Sequence, residues 1–114
     1  MNTLYFYHNA KCTKSRQAKE LLDSHNIEYE LVDYMKKGLR YDEVENILIL
    51  LHLQPDQFIR KNSLNDLGIN LRGLSDDQCI QLICDNPSLF ERPVIHDGNT
   101  AVIGRPPENI LSFL

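Results

Sequence analysis

A cysteine among basic residues is the feature of this chain best suited to chemistry. Cys12 has no acidic residue near it between His8 and Lys19, and four basic residues flank it: Lys11, Lys14, Arg16 and Lys19. Positive charge favours the thiolate, which is the nucleophilic form of cysteine. The sequence therefore predicts a nucleophilic thiol beside a site for an anion. The alternative is that Cys12 is a small buried residue that only packs.

The elements around Cys12 predict that it lies where a loop enters a helix. Residues 3–7 are apolar and aromatic, as in a short strand, and residues 13–25 carry apolar residues at helical spacing. At a helix N-terminus, unpaired backbone N–H groups and the positive end of the helix dipole converge. Both stabilise a thiolate and bind anions.

The next segment predicts a βαβ unit. Residues 27–34 alternate apolar and acidic side chains, which indicates a second strand. Strand, helix and strand within about 30 residues imply parallel pairing through a right-handed crossover. Residues 35–40 are predicted to form a loop that is broken at Gly38.

The middle of the chain is predicted to be helical. Residues 42–53 show helical periodicity, with Asp42 as the cap. Residues 56–67 are predicted to form two short helices, broken at residues 61–63 and ended by Gly68.

A capping box predicts one more helix in this region. Ser75 and Gln78 have the required spacing, and the helix should run to about Cys84. Cys79 and Cys84 are predicted to pack in the core rather than to react.

The last part of the chain predicts a hairpin and a helix. Residues 94–96 and 100–103 are short strands, joined by the turn Asp97-Gly98-Asn99. Pro106 or Pro107 suits the first turn of the helix. The apolar residues of that helix are Ile110, Leu111, Phe113 and Leu114.

This order of elements predicts an α/β fold of the thioredoxin-like type. We expect residues 1–114 to form a single domain, β-α-β and then β-β-α, with a four-stranded mixed sheet and a helical insertion at about 41–86. Pro93 precedes the third strand. Because X–Pro bonds in folded proteins are cis in about 5–6% of cases, the sequence leaves the isomer of this bond open.

Composition restricts the class of protein. The net charge of −4 argues against a general nucleic-acid binder, and no run of apolar residues is long enough to span a membrane. The N-terminal stretch lacks the regions of a signal peptide, and the three cysteines are widely spaced without a C-x-x-C motif. We therefore expect a cytoplasmic protein. The histidines show no metal-ligand spacing, so no metal is predicted.

Four motifs in register resemble the glutaredoxin-dependent arsenate reductase family. They are His8-Asn9-x-x-Cys12-x-x-Ser15-Arg16, Arg60-Lys61-Asn62, Arg92-Pro93 and Gly104-Arg105-Pro106. The match covers essentially the whole chain, including the inserted helices. The end of the chain is most similar to the uncharacterised, arsenate-reductase-like branch of the YfgD type.

The resemblance implies a role for each matching residue. Cys12 would attack the arsenic of arsenate, and Arg60, Arg92 and Arg105 would bind the oxyanion, while His8 and Ser15 would tune the thiol. Glutathione would be the co-substrate, glutaredoxin the partner that resolves the mixed disulfide, and arsenite the product. No bound cofactor is implied, and the family suggests a monomer.

The residue types agree with this chemistry. Guanidinium groups suit a tetrahedral oxyanion, and we expect His8, when protonated, to favour the thiolate and the Ser15 hydroxyl to donate a hydrogen bond to the sulfur. Because Ser15 cannot form a disulfide with Cys12, the C-x-x-S spacing predicts that an external thiol completes the cycle.

Two other functions remain open at this point. One is a different glutathione-linked thiol oxidoreductase on the same scaffold, which the resemblance to the uncharacterised branch motivates. The other is a redox regulator that binds RNA polymerase, a type found in the same fold family. Ser15 argues against the regulator, because redox-sensing regulators of this type generally carry a second cysteine at that position.

Overall fold

The computed structural model describes residues 3–113 of the chain. The chain divides into two compact units. The first consists of the described parts of Met1–Lys36 and Arg92–Leu114, and the second consists of Lys37–Glu91. The single domain with a helical insertion stays a prediction. No helix within the described residues is long and apolar enough to cross a membrane.

The first unit contains a four-stranded mixed sheet. Its strands are β1 (Tyr5–Tyr7), β2 (Glu30–Val32), β3 (Val94–His96) and β4 (Ala101–Ile103), in the order β2-β1-β3-β4. β1 pairs with β2 in parallel and with β3 in antiparallel orientation, and β3 and β4 are antiparallel. The predicted thioredoxin-like sheet is therefore confirmed.

Helix α1 (Thr13–Ser24) and a 3₁₀ helix (Pro107–Phe113) pack on this sheet. The core between them consists of five fully buried residues: Phe6, Ala18, Leu22, Ile95 and Ile110. Full burial of a large apolar side chain stabilises a fold by about 1.5–3 kcal/mol. This cluster fixes α1 on the sheet, and with it the residue at its N-terminus.

The segment after β2 differs from the prediction. A short helix, α2 (Tyr34–Lys37), occupies the start of the predicted loop 35–40, so that part of the prediction is wrong. Tyr34 is fully buried, and the N–H of Lys36 donates to the carbonyl of Asp33 at 3.1 Å. The buried Tyr34 and this turn accompany a helical start to the segment that was predicted to be a loop broken at Gly38. The predicted breaker, Gly38, follows with a φ of 83°.

The predicted hairpin between β3 and β4 is confirmed. The Asp97 carboxylate accepts hydrogen bonds from the N–H groups of Asn99 and Thr100 at 2.9 and 2.8 Å, and Gly98 has a φ of 90°. The predicted last helix is the 3₁₀ helix, and Leu114 lies outside the described residues.

The second unit is helical. It contains α3 (Tyr41–Leu51), α4 (Pro55–Phe58), α5 (Lys61–Leu67), α6 (Asp76–Asp85) and a 3₁₀ helix (Pro87–Leu89). α3 and α6 pack through residues that are buried, namely Val44, Ile47, Leu48, Ile80 and Ile83.

The start of α3 corrects a prediction. The helix begins at Tyr41, and Arg40 rather than Asp42 is the N-cap residue. The reason is that the Glu43 carboxylate accepts the N–H of Arg40 at 3.1 Å, which draws one earlier residue into the first turn.

The break between α4 and α5 also corrects a prediction. It falls at Ile59 and Arg60 instead of at residues 61–63, because the N–H of Arg60 donates to the carbonyl of Leu89 at 2.9 Å instead of continuing the helix. Gly68, with a φ of 67°, ends α5 as predicted.

The capping box of α6 is confirmed. The Ser75 hydroxyl accepts the N–H of Gln78 at 3.2 Å, and the Gln78 side chain accepts the N–H of Ser75 at 2.9 Å.

Candidate active site

Cys12 is the N-cap residue of α1, as predicted. Its backbone is extended, with φ −93° and ψ 124°. Its N–H donates to the carbonyl of Asn9 at 2.9 Å, and its carbonyl accepts the N–H of Arg16 at 3.0 Å. The side chain is half-buried. The sulfur therefore lies among the first backbone N–H groups of the helix, which have no partner within the helix itself.

The loop before Cys12 is held by hydrogen bonds of its own. His8 donates its N–H to the carbonyl of Val32 at 3.0 Å, which ties the loop to β2. The side chain of Asn9 accepts the N–H of Lys11 at 3.0 Å, and the Arg16 guanidinium donates to the carbonyl of Ala10 at 3.1 Å. The loop thus presents Cys12 in one defined conformation.

The sheet register explains why two distant arginines meet this cysteine. Tyr7 pairs with Val94, which pairs with Ile103, so the end of β1, the start of β3 and the end of β4 lie at one edge. Arg92 precedes β3 and Arg105 follows β4 by two residues each. Both side chains therefore start from the edge at which the Cys12 loop begins.

Arg105 and Arg92 both reach the sulfur. The Nη2 of Arg105 lies 3.5 Å from the Sγ of Cys12, and its Nε donates to the carbonyl of Arg92 at 2.7 Å. The buried side chain of Arg92 also forms a hydrogen bond to Cys12. The peptide bonds Arg92–Pro93 and Arg105–Pro106 are both cis, which answers the question that the sequence left open for Pro93.

These surroundings lower the pKa of Cys12. Burial by itself raises the pKa of this thiol, but several interactions lower it and together outweigh burial. These interactions are hydrogen bonds from the backbone N–H groups of Ser15 and Lys14, a hydrogen bond from the side chain of Arg92, and the positive charge of Arg92. Near neutral pH, a larger fraction of such a cysteine is the nucleophilic thiolate than of an ordinary cysteine.

His8 and Ser15 form a buried pair next to the thiol. The Nδ1 of His8 lies 2.8 Å from the Oγ of Ser15, and the same Oγ accepts the N–H of Asn9 at 3.0 Å. Burial, together with the positive charges of Lys19 and Arg16, lowers the pKa of His8, although the charge of Asp33 opposes them. Burial therefore favours the neutral form of His8.

This pair bears on the predicted routes to the thiolate. Burial disfavours the protonated ring through which His8 was expected to act. The Ser15 hydroxyl contacts His8 and Asn9, and the backbone N–H of Ser15 forms a hydrogen bond to the sulfur, so the role of the Ser15 hydroxyl at the sulfur stays a prediction. The two side chains hold the loop against the first turn of α1.

Arg60 lies in the other unit of the chain. It is half-buried at the N-cap of α5. Its role in binding an oxyanion stays a prediction, whereas Arg92 and Arg105 are brought together with Cys12, His8 and Ser15.

Sequence reasoning missed the contribution of Gly104. Its N–H donates to the carbonyl of Pro93 at 2.8 Å, and a Cβ on this residue would lie 2.8 Å from the Cγ of Pro93. Gly104 thereby lets the Arg105 segment approach the Arg92 segment closely. The signal was present, because glycine opens the Gly-Arg-Pro motif at the end of β4.

The arrangement suits a tetrahedral oxyanion beside a nucleophilic sulfur. Two guanidinium groups supply planar, multiple donors, and the start of α1 supplies N–H groups and a positive dipole. Among residues 3–113, no group of three His, Cys, Asp or Glu side chains could hold a metal ion.

Comparison with known proteins agrees with this geometry. The model of the ArsC family matches residues 7–113. The chain is 32% identical to the uncharacterised protein YfgD of Escherichia coli, over 95% of this chain and 93% of that protein. It is also 32% identical to an arsenate reductase of Neisseria meningitidis, with 100% of both chains covered.

A solved structure and a regulator are also similar to this chain. The arsenate reductase from Vibrio cholerae superposes with a TM-score of 0.89 at 29% identity, over 99% of this chain and 98% of that one. The global transcriptional regulator Spx of Listeria innocua is 31% identical over 95% of this chain and 84% of its own length. The family match over nearly the whole sequence and the two relatives at 32% identity show that this chain belongs to the ArsC family.

Proposed function

We propose that this protein is an arsenate reductase that uses Cys12 as its nucleophile and glutathione and glutaredoxin as reductants. The observation that carries the proposal is the low-pKa sulfur of Cys12 in contact with Arg92 and Arg105. The similarity to arsenate reductases supports the choice of arsenate.

In the first step, the Cys12 thiolate attacks the arsenic of arsenate. A sulfur–arsenic bond forms, and one oxygen leaves as hydroxide, which takes up a proton to become water. Arg92 and Arg105 hold the remaining oxygens and offset their negative charge. Arg60 is proposed as a third ligand of the oxyanion.

In the second step, a glutathione thiolate attacks the sulfur of Cys12. A disulfide bond forms, the sulfur–arsenic bond breaks, and its electron pair stays on arsenic, which is reduced from As(V) to As(III) and leaves as arsenite. A glutaredoxin thiolate then attacks the glutathione sulfur, and Cys12 leaves as the thiolate that began the cycle. The thiols supply both electrons, so the cycle needs no bound cofactor.

The position of Ser15 favours this cycle over a redox switch within the loop. Ser15 occupies the place where a second thiol would form an intramolecular disulfide, and its hydroxyl is fully buried against His8. An external thiol is therefore needed to release Cys12. The similarity to Spx makes a regulator the second candidate, and it would act without such a switch.

The decisive experiment measures arsenite formed from arsenate with glutathione and glutaredoxin present. We expect turnover by the wild type and by Cys84→Ser, and none by Cys12→Ser. Arg92→Lys, Arg105→Lys and Arg60→Lys should raise the KM for arsenate if each binds the oxyanion.

Absence of turnover in the wild type, with Cys12 still alkylated as a low-pKa thiol, would reject arsenate as substrate. Removal of a glutathione mixed disulfide from a model substrate, lost in Cys12→Ser, would then favour another glutathione-linked oxidoreductase. Retention of RNA polymerase by the immobilised protein, without either activity, would favour the regulator.

A further inference from the structure

A groove on the first unit runs along α1, the helix whose N-cap residue is Cys12. Its volume is about 630 Å³, which is within the range of sites for small molecules. One wall is a face of α1 that includes Lys14, Gln17 and Leu21, and the other wall is formed by Pro106, Pro107 and Glu108. We call this the α1 groove.

Each wall of the α1 groove includes a residue next to a group that contacts the sulfur of Cys12. The backbone N–H of Lys14 forms a hydrogen bond to Cys12. Pro106 directly follows Arg105, whose Nη2 lies 3.5 Å from the Sγ. A molecule in the groove would therefore have one end close to the sulfur, while Arg92 and Arg105 remain available to an oxyanion.

The charges along the groove have opposite signs. Lys14 is exposed at the end near the sulfur, and Glu20 and Glu108 are exposed elsewhere on the lining. Lys14 and Glu20 are six residues apart on the helix, a rise of about 9 Å. An extended tripeptide spans about 10 Å. The groove is thus matched in length and charge to a small peptide that carries both carboxylate and ammonium groups.

We propose that the α1 groove is the glutathione subsite. A carboxylate of glutathione pairs with Lys14, its ammonium group pairs with Glu108 or Glu20, and its sulfur faces Cys12. The choice of glutathione as the occupant rests on the proposed function, whereas the position and charge of the groove do not.

The test measures formation of the mixed disulfide, which does not require arsenate. The Cys12 thiolate attacks one sulfur of oxidised glutathione, a disulfide bond forms, and the other half leaves as glutathione thiolate. The same reaction with 2-hydroxyethyl disulfide, which is neutral, releases 2-mercaptoethanol thiolate. The ratio of the two rates cancels any change in the reactivity of Cys12 itself and reports recognition of glutathione.

Lys14→Glu should lower this ratio about fivefold, the scale of an exposed ion pair. Lys11→Glu is the matched control, because Lys11 is exposed beside Cys12 but does not line the groove. It should change the ratio less than Lys14→Glu. Equal changes in the two variants, or no change in either, would overturn the proposal.

Glu108→Lys separates pairing from a general charge effect. Oxidised glutathione carries a net negative charge, so added positive charge alone would raise the ratio. Loss of a partner for the ammonium group would lower it, which is the expected result. An increased ratio in Glu108→Lys would reject pairing between Glu108 and the ammonium group of glutathione. If the ratio were also unchanged in Glu20→Lys, neither glutamate would bind the ammonium group, and that part of the proposal would be overturned.

A second measurement uses S-methylglutathione, which cannot form a disulfide. Backbone amide shifts in the wild type should concentrate at Lys14, Gln17 and Glu108 as it is added. Amide shifts confined to residues outside the α1 groove would overturn the proposal. If the wild type produced arsenite but the groove variants left the ratio of the two disulfide rates unchanged, only the glutathione subsite would be rejected. If the groove variants changed this ratio as expected but the wild type produced no arsenite, only the proposed function would be rejected.

Discussion

Two cysteines of this chain are half-buried but have opposite properties. Cys12 lies at the N-cap of α1, and Cys84 lies in the last turn of α6. The pKa of Cys12 is lowered, whereas the pKa of Cys84 is raised, first by burial and then by the negative charges of Asp85, Glu43 and Asp42. Burial raises the pKa of both thiols, so it does not account for the difference.

The difference comes from the helix ends and from the sign of the neighbouring charges. At the start of α1, N–H groups and Arg92 face the sulfur. Near the end of α6, the helix has its negative dipole end, and the neighbours are carboxylates. The pair shows that the position of a thiol on its helix and the donors around it decide whether it is a nucleophile.

The largest expected effect is on alkylation at neutral pH. Iodoacetamide should modify Cys12 in the wild type, and Cys12→Ser should lose nearly all labelling because the remaining thiols stay protonated. Cys84→Ser should leave the labelling rate unchanged. Peptide mapping by mass spectrometry checks this, and rapid labelling of Cys84 in the folded protein would break the comparison.

Gly104→Ala should lower the stability of the protein and slow the alkylation of Cys12. The new methyl group would meet Pro93 and Ile110, at 2.8 and 3.1 Å, and overpacking of this kind costs about 1–3 kcal/mol of stability. Because Arg105 follows Gly104, alkylation of Cys12 should also slow. Urea denaturation and the labelling rate test the two effects.

Gly68→Ala is the matched control for that substitution. Gly68 has open space around it but a φ of 67°, so alanine there should destabilise by about 1–2 kcal/mol through backbone strain. It should not change the labelling of Cys12. A similar slowing in both variants would mean that global stability, rather than the approach of Arg105, controls the thiol.

Arg92→Gln should raise the pKa of Cys12, because it removes a hydrogen bond to the sulfur and a positive charge. We expect labelling at pH 6.5 to slow about tenfold, the scale of one hydrogen bond to a charged group. The exposed Arg72→Gln is the control. An unchanged pH profile in Arg92→Gln would mean that the helix N-terminus and Arg105 stabilise the thiolate without Arg92.

The smallest expected effect is on the pH dependence of stability. The lowered pKa of Cys12 means that its stabilising contribution is present above the ordinary cysteine pKa of about 8.5 and is lost as pH falls through the lowered value. The stabilising contribution of the protonated Cys84 is present below a pH of about 8.5, the ordinary cysteine pKa, and is lost as pH rises through its raised pKa.

Urea denaturation at several pH values should therefore give opposite slopes for the two cysteines. The stability difference between wild type and Cys12→Ser should grow as pH rises, and the difference between wild type and Cys84→Ser should shrink. Slopes of the same sign would contradict the comparison.

Local signals in the sequence predicted much of the fold and the position of the thiol. Cys12 at a helix N-terminus, the Ser75–Gln78 capping box and the turn around Gly98 each depend on neighbouring residues, so a short pattern was enough. The start of α3 at Tyr41 was missed, because Glu43 reaches back to the backbone of Arg40, a contact that composition does not reveal.

The electrostatics of the site could not be predicted in the same way. The lowered pKa of His8 depends on its burial, and the contacts of the Ser15 hydroxyl depend on where Asn9 and His8 lie in the folded loop. The contact between Arg105 and Cys12 joins residues 93 positions apart and depends on strand register. Motif resemblance suggested these residues, but only the sheet explains how they meet.

The distance in sequence between Cys12 and Arg105 has a consequence for synthesis of the protein. A ribosome makes Cys12 before Arg105, which follows it by 93 positions. The nascent chain therefore carries a thiol without its guanidinium neighbours until the segment with Arg92 and Arg105 has emerged and paired. Oxidants and electrophiles should meet a less reactive cysteine during translation, and a prematurely terminated product that lacks Arg92 and Arg105 would retain that lower reactivity.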